Sequence, residues 1–367
     1  MPLDSATASP RLVALATAVP PCVVRQSEVK REMARLFSSV VREGDRLLAI
    51  FENAQIDERH LCVPLEWFAR EHTFGEKNAL YVEHALRLSI EATSAALLRA
   101  GLEPADIDHV VFVSSTGIAT PSIDALLANT LGFRTDVRRT PIWGLGCAGG
   151  AVGLSRARDF SRADPGARVL LVAVELCSMT FQLHDLDKRN LVATSLFSDG
   201  AAAAVIAGRE VPLRANSREI PLEILASQSI LWKDSADVMG WNVDGAGLHV
   251  VFSRDIPTIV RDHVRPSLLA FLDRCGVTLA DVQHLAAHPG GVKVMDAYAE
   301  ALGLAAARFH HAREVLRAFG NMSSPTCLFV LERFLQAAEI HAGEHAIVAA
   351  LGPGFSAEYV LLRGAVG

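Results

Sequence analysis

Three stretches of the chain are apolar at almost every position: VVFVSS from Val110, VLLVAVE from Val169 and AAAAVIA from Ala201. They are rich in β-branched or small residues and show no polar alternation. Such runs predict strands buried on both faces, as in sheets covered by helices. The stretch after Cys147 has a different period. Leu154, Ala157 and Phe160 recur at helical spacing in AGGAVGLSRARDF, which predicts an amphipathic helix opening at the cysteine.

The same patterns return later in the chain. RAGLEPADIDHVVFVSSTG from Arg99 and RCGVTLADVQHLAAHPG from Arg274 both read as helix end, Gly stop, acidic turn and apolar strand. Arg99, Gly101, Ala105, Asp106 and His109 recur as Arg274, Gly276, Ala280, Asp281 and His284. LGCAGGAVGLSRARDF from Leu145 aligns with FGNMSSPTCLFVLERF from Phe319, which pairs Cys147 with Asn321. GARVLLVAVE from Gly166 resembles GEHAIVAALG from Gly343, and DGAAAAVIAG and GFSAEYVLLRG both read as a last strand. Ala and Gly bias can imitate one such match but not an ordered set at nearly constant spacing. The chain is therefore expected to be an α/β protein of two similar halves, 1–210 and 220–367, related by a pseudo-twofold. No Pro/Gly/Ser linker separates them, so they should share one core.

The chain has 367 residues, 50% apolar and 21% charged, which excludes disorder, collagen and small disulfide scaffolds. A net charge of −6 and a pI near 6.1 argue against a nucleic-acid binder. A mean hydropathy of +0.27 leaves apolar surface for an oligomer interface or a tunnel. Cys22, Cys62, Cys147, Cys177, Cys275 and Cys327 form no CxxC pair and no zinc-type cluster, which suits a reducing cytoplasm and no metal site. The first residues lack the basic region of a signal peptide, and no apolar run reaches the roughly 18 residues of a membrane span.

The repeat places Cys147 and Asn321 equivalently, each after a strand and at a helix start, so that they face each other across the pseudo-twofold. A thiol at a helix N-terminus feels the dipole and free N–H groups, which favour thiolate. Gly149 and Gly150 would let a substrate approach the backbone. A buried structural cysteine is the competing reading. His288 ends the apolar strand HLAA before Pro-Gly-Gly and points toward a cleft, with a packing role as the alternative. His109 and His284 are repeat partners and read as structural; His310, His311, His341 and His345 read as surface. Asn321 can cap a helix or donate to a developing oxyanion. Together, Cys to carry an acyl group and His and Asn to stabilise an enolate are the parts of a thioester-using acyl transferase.

GLGCAGG around Cys147, VELCSMT at Val174, LFSDGAAAAV at Leu196, AAHPGG at His288, GNMSSP at Gly320 and LGPGFSAE at Leu351 jointly resemble the type III polyketide synthases. These are the chalcone synthase-like branch of the thiolase superfamily, and the resemblance runs from about Arg59 to Arg363. It implies a thiolase-like five-layered αβαβα fold, a homodimer, and a Cys147, His288, Asn321 triad. It further implies that Phe197 is a gatekeeper between CoA tunnel and cavity, with Val250 where plant relatives carry a second Phe. Ser115, Thr116, Thr180 and Ser323 match cavity-lining positions. Thr120 matches the place where a Met crosses the dimer interface. Gly352, Pro353 and Gly354 form the terminal loop, preceded by Leu351 in place of an aromatic. Lys293 falls where CoA is contacted, Gly290 and Gly291 join it as CoA-binding positions, and Arg46 and Arg59 are weaker basic candidates for the CoA phosphates.

The motif variants are most similar to bacterial alkylpyrone and alkylresorcinol synthases. The implied reaction is decarboxylative condensation of malonyl-CoA onto an acyl-CoA starter, fatty acyl by preference, held on Cys147, followed by cyclisation. Acyl-CoA and malonyl-CoA are substrates, with no metal or redox cofactor, no nucleic acid and no membrane span; the compartment implied is the cytoplasm. The alternatives are a type III synthase with an aromatic or malonyl starter (chalcone-, phloroglucinol- or naphthalene-type product), a β-ketoacyl synthase III type enzyme, and a catalytically dead partner subunit. A nucleotide-binding α/β protein is set aside, because no GxxxxGK occurs in the chain.

Overall fold

The computed structural model describes residues 9–37, 48–185, 187–212, 221–253 and 255–366. Its strands are β1 (Arg11–Ala18), β2 (Cys22–Arg25), β3 (Glu58–Leu61), β4 (His109–Val113), β5 (Arg138–Ile142), β6 (Arg168–Leu176) and β7 (Asp199–Ala207). The second part adds β8 (Leu222–Leu231), β9 (Met239–Asp244), β10 (Gly247–Phe252), β11 (Val282–Ala287), β12 (His345–Gly352) and β13 (Ser356–Gly364). Nine of them form one mixed sheet in the order β11-β12-β13-β8-β1-β7-β6-β4-β5. The expected apolar strands are β4, β6 and β7, and every residue of β4 and β7 is buried.

The pairing repeats across the sheet. β4 runs parallel to β6, β6 antiparallel to β7, and β7 antiparallel to β1. β11 runs parallel to β12, β12 antiparallel to β13, and β13 antiparallel to β8. The two sets join through only two residue pairs of β1 and β8, Arg11 with Glu223 and Leu12 with Leu222. The boundary expected between residues 210 and 220 lies mostly outside the described residues.

Helices complete five layers. Gly149–Ala163 packs on β4 and β6 of one set and on β8, β12 and β13 of the other; Thr326–Gln336 packs on β11 and β12 and on β1 and β7. These two helices touch and form the middle layer. Helix Phe74–Ala100 covers the outer face of β1, β6 and β7, while Ile256–Arg274 and Val292–Leu302 pair outside the other set, the former against β13. Phe74–Ala100 starts at a capping box of Thr73 and Glu76 and stops at Gly101, φ +61, where a left-handed residue is needed. This is a thiolase-like fold.

One local expectation needs correction. Asn321 does not follow a strand. Helix His310–Phe319 precedes it, Gly320 ends that helix at φ +74, and Asn321 makes an isolated parallel bridge with Phe197.

Candidate active site

Cys147 sits in the short turn Gly146–Ala148 that opens helix Gly149–Ala163. Gly146 has φ +45, and a Cβ there would lie 2.9 Å from Pro353. A Cβ on Gly352 would lie 2.6 Å from the Leu145 carbonyl oxygen. The Gly352-Pro353-Gly354 loop therefore packs under the turn that carries the thiol. Gly149 and Gly150 serve packing rather than substrate approach. A Cβ on Gly150 would lie 2.2 Å from the Ser324 carbonyl oxygen, and one on Gly149 2.5 Å from Val113. The absent side chains let the Cys147 helix close on the segment that carries Asn321.

His288 continues the ladder beyond β11, its N–H donating to the Ala349 carbonyl at 2.8 Å. Neither ring nitrogen has a hydrogen-bond partner among the described residues, and the residue is 4% exposed. Asn321 is held at both ends. Its Oδ1 accepts from Ser323 N–H at 2.8 Å, and its Nδ2 donates to the Gly290 carbonyl at 3.3 Å. The first bond fixes the carboxamide with Nδ2 as the outward donor. It also suits Ser323 at φ +58, a conformation that costs an L residue energy.

These three side chains line one cavity of about 1210 Å³, open to solvent, with Gly290, Gly291, Lys293 and Leu351 on its walls. Lys293 is exposed, a free ammonium at the mouth. A second, largely apolar cavity of about 520 Å³ is lined by Phe197, Val250, Thr180, Cys177, Met33 and Leu61, among others. Phe197, on the wall of this cavity, has its ring 5.7 Å from that of Phe252, which lines the first.

Burial governs the protonation states. It pushes the Cys147 thiol up to about 11, opposed mainly by a Ser323 hydrogen bond. It pulls His288 down to about 4. In the unliganded site both groups are neutral at pH 7, so the expected low-pKa thiolate is not what the structure holds. Behind the thiol lies Glu175, fully buried and raised to about 7 by burial. It accepts from Ser115 N–H (2.9 Å), Thr116 Oγ1 (2.8 Å) and Ser324 Oγ (2.8 Å). The sequence reading missed it; the signal was a carboxylate near the end of an otherwise apolar strand, which must find donors.

Other expected residues fall differently. Ser115, Thr116 and Ser323 are buried behind the thiol rather than on the cavity wall; Ser115 Oγ accepts from Gly144 and Gly146 N–H, both at 3.3 Å. Thr120 is exposed and lines neither cavity of its own chain, which leaves its expected place at a dimer border untouched. Arg59 is no surface cation for CoA phosphates. It is 2% exposed and donates to the carbonyls of Thr194 and Phe197. Arg46 lies outside the described residues. His109 and His284 are structural, bonded to Thr140 and Glu344. His311, expected at the surface, is buried.

A thiol, an imidazole and a carboxamide brought together between two like halves define a condensing enzyme of the thiolase-like class. The comparisons narrow this. Residues 4–210 match the family model of chalcone and stilbene synthases, N-terminal domain, and residues 223–366 its C-terminal counterpart. The chain belongs to this family and is a type III polyketide synthase, an acyltransferase that uses acyl-CoA and malonyl-CoA. It is 41% identical over 355 residues to a putative chalcone synthase of Bacillus subtilis (95% of this chain, 97% of the relative). It is 39% identical over 352 residues to 1,3,6,8-tetrahydroxynaphthalene synthase of Streptomyces peucetius (96% and 92%). It is 31% identical over 354 residues to the alpha-pyrone synthesis polyketide synthase-like Pks18 of Mycobacterium tuberculosis (95% and 89%). The crystal structure of 1,3,6,8-tetrahydroxynaphthalene synthase from Streptomyces coelicolor superposes with a TM-score of 0.91 at 29% identity, covering 97% of this chain and all of the other.

Proposed function

We propose that the enzyme loads a fatty acyl-CoA starter on Cys147, extends it with malonyl-CoA and releases an alkylpyrone or alkylresorcinol. Cys147 attacks the starter thioester, its proton passes to the neutral His288 ring, and CoA departs as the thiol. Malonyl-CoA loses CO₂, and His288 and Asn321 Nδ2 stabilise the resulting enolate oxygen. The enolate carbon attacks the acyl-Cys147 thioester, which expels the Cys147 thiolate, protonated in turn from solvent, and leaves the longer chain on CoA. Decarboxylation supplies the carbanion, so the cycle calls on no metal or redox cofactor. Lys293 at the mouth, beside Gly290 and Gly291, is suited to the CoA phosphates.

The observation that carries the starter assignment is the apolar cavity beyond Phe197, with Val250 and Cys177 on its wall. A malonyl starter with a naphthalene-type product is the second reading, favoured by the Streptomyces peucetius relative. Mass spectrometry of products from a panel of acyl-CoA starters with malonyl-CoA separates them. Chain-bearing pyrones or resorcinols support the first, and a product from malonyl-CoA alone, unchanged by added acyl-CoA, supports the second.

We further propose a homodimer. The edge strand β5 has an unpaired side, and Trp143 and Ile118 beside it are 53% and 48% exposed. Arg138, Arg139 and Pro141 blunt the β5 edge against strand pairing, so the exposed apolar pair beside it carries the proposal. The six cysteines are free thiols, which supports a reducing, cytoplasmic setting. Light scattering of the purified chain tests the dimer.

A further inference from the structure

Away from both cavities, His310 and His311 open helix His310–Phe319 and converge on Glu339, just after helix Thr326–Gln336. His311 Nε2 lies 3.0 Å from Glu339 Oε1, and His310 Nε2 lies 3.7 Å from Glu339 Oε2. Ligand atoms from all three side chains lie within 4.8 Å of one another. An ion of zinc type binds imidazole nitrogen and carboxylate oxygen at about 2.0–2.2 Å, which sets tetrahedral ligand atoms about 3.3 Å apart. The observed spacings bracket that value.

The other ring nitrogens strengthen the case. His310 Nδ1 is 3.0 Å from the Ala307 carbonyl oxygen, and His311 Nδ1 is 3.4 Å from Glu314 Oε2. Each Nδ1 thus has an acceptor for its proton, which leaves each Nε2 with a lone pair facing Glu339. This is the outer-shell arrangement that orients metal-bound histidines. Phe334 packs edge-on against both rings, 5.8 and 4.5 Å away, and limits their rotation. The helix N-terminus disfavours a cation, but the Glu339 and Glu314 carboxylates offset two charges. His311 is buried while His310 is exposed, so a fourth position stays open to water.

We propose that His310, His311 and Glu339 bind one divalent transition-metal ion of the zinc class, which ties the helix leading to Asn321 to the end of the middle-layer helix. The role is structural: no substrate-binding residue takes part. The test uses the full, untagged chain carrying Cys147→Ser, so that the catalytic thiol cannot bind metal. It is titrated with ZnCl₂ by calorimetry beside the same chain with His310→Ala or Glu339→Gln, two partly exposed positions. The expected result is one Zn²⁺ per chain, affinity about tenfold or more weaker in each variant, and a Zn²⁺-dependent rise in Tm confined to the parent. Equal binding by parent and variants would place the ion elsewhere, for example on His341 and His345, and overturn the proposal. So would the absence of one-to-one binding by a folded parent, which would leave the cluster as a hydrogen-bonded His–Glu network.

Discussion

Phe197 and Asn321 are joined backbone to backbone: Asn321 N–H donates to the Leu196 carbonyl at 2.8 Å, and Ser198 N–H donates to the Asn321 carbonyl at 2.9 Å. An aromatic side chain on the wall of the second cavity and the carboxamide donor in the first are therefore two ends of one unit. Because the link is main chain, the Phe197 side chain can change without moving Asn321. Phe197→Leu is expected to keep malonyl-CoA decarboxylation within about twofold while altering the number of extensions. Product mass spectrometry beside CO₂ release checks this. A parallel loss of both would mean that the ring itself positions the carboxamide.

Substitution of the thiol should separate chain loading from decarboxylation. Cys147→Ala is expected to abolish polyketide formation with the fold intact by circular dichroism. Cys147→Gln imitates the acylated side chain and is expected to retain CO₂ release from malonyl-CoA without extension. Product formation by folded Cys147→Ala protein would remove Cys147 from its assigned role.

The thiol's burial has a direct kinetic reading. With its pKa pushed up to about 11, its thiolate fraction grows about tenfold per pH unit through pH 9 and 10. Iodoacetamide inactivation of the unliganded enzyme should therefore keep accelerating past the free-cysteine midpoint. A plateau below pH 8 would show a preformed thiolate–imidazolium pair instead.

Two buried groups set opposing slopes of stability with pH. His288 falls from 6.5 to about 4 on folding, so its neutral form favours the folded state above pH 6.5, and that contribution is lost as pH drops toward 4. Glu175 rises from 4.5 to about 7, so its contribution is full below pH 4.5 and lost as pH climbs through 7. Each effect is of order 3 kcal/mol. Tm of Glu175→Gln, relative to the parent, should rise from pH 4.5 to 7.5. Tm of His288→Gln, relative to the parent, should fall from pH 4 to 6.5. Parallel Tm curves would mean that neither group titrates as its burial demands.

Val250 lines the apolar cavity, so enlarging it should shorten the chains that fit. Each buried methylene contributes about 0.8 kcal/mol, so kcat/KM should climb steeply with acyl length in the parent. Val250→Phe is expected to cut off long starters and spare short ones, measured across a saturated acyl-CoA series. A preference of the parent for an aromatic starter over every fatty acyl-CoA would end the alkyl assignment.

The repeat and the period of the apolar runs made the paired strands legible, because buried strands and Gly-stopped helices leave strong local marks. Cys147, His288 and Asn321 could be named for a related reason: each sits at the end of such an element. The helix leading to Asn321 was legible, with Ala312, Val315 and Leu316 at helical spacing and Gly320 as its stop, whereas the bridge to Phe197 is long-range and leaves no local mark. Gly149 and Gly150 were recognised as special, but their purpose is helix packing that only the fold reveals. Arg59 and His311 look like surface residues in sequence, and their burial depends on segments far along the chain. The thiol's protonation was misjudged because dipole and neighbour can be read locally whereas desolvation cannot.

The narrow join at β1 has a consequence for the chain's synthesis. β1 has its strand partners at Ala201–Ala207 and at Leu222–Glu223, so it waits through most of translation before either edge is occupied. Helix Phe74–Ala100 is the earlier long element available to shelter it. Such distant pairing slows folding and leaves apolar edges open meanwhile. A nascent chain stalled before residue 200 would carry an incomplete sheet, ready to pair with a neighbouring copy. Where β1 sits in the finished sheet thus sets a window of vulnerability on the ribosome.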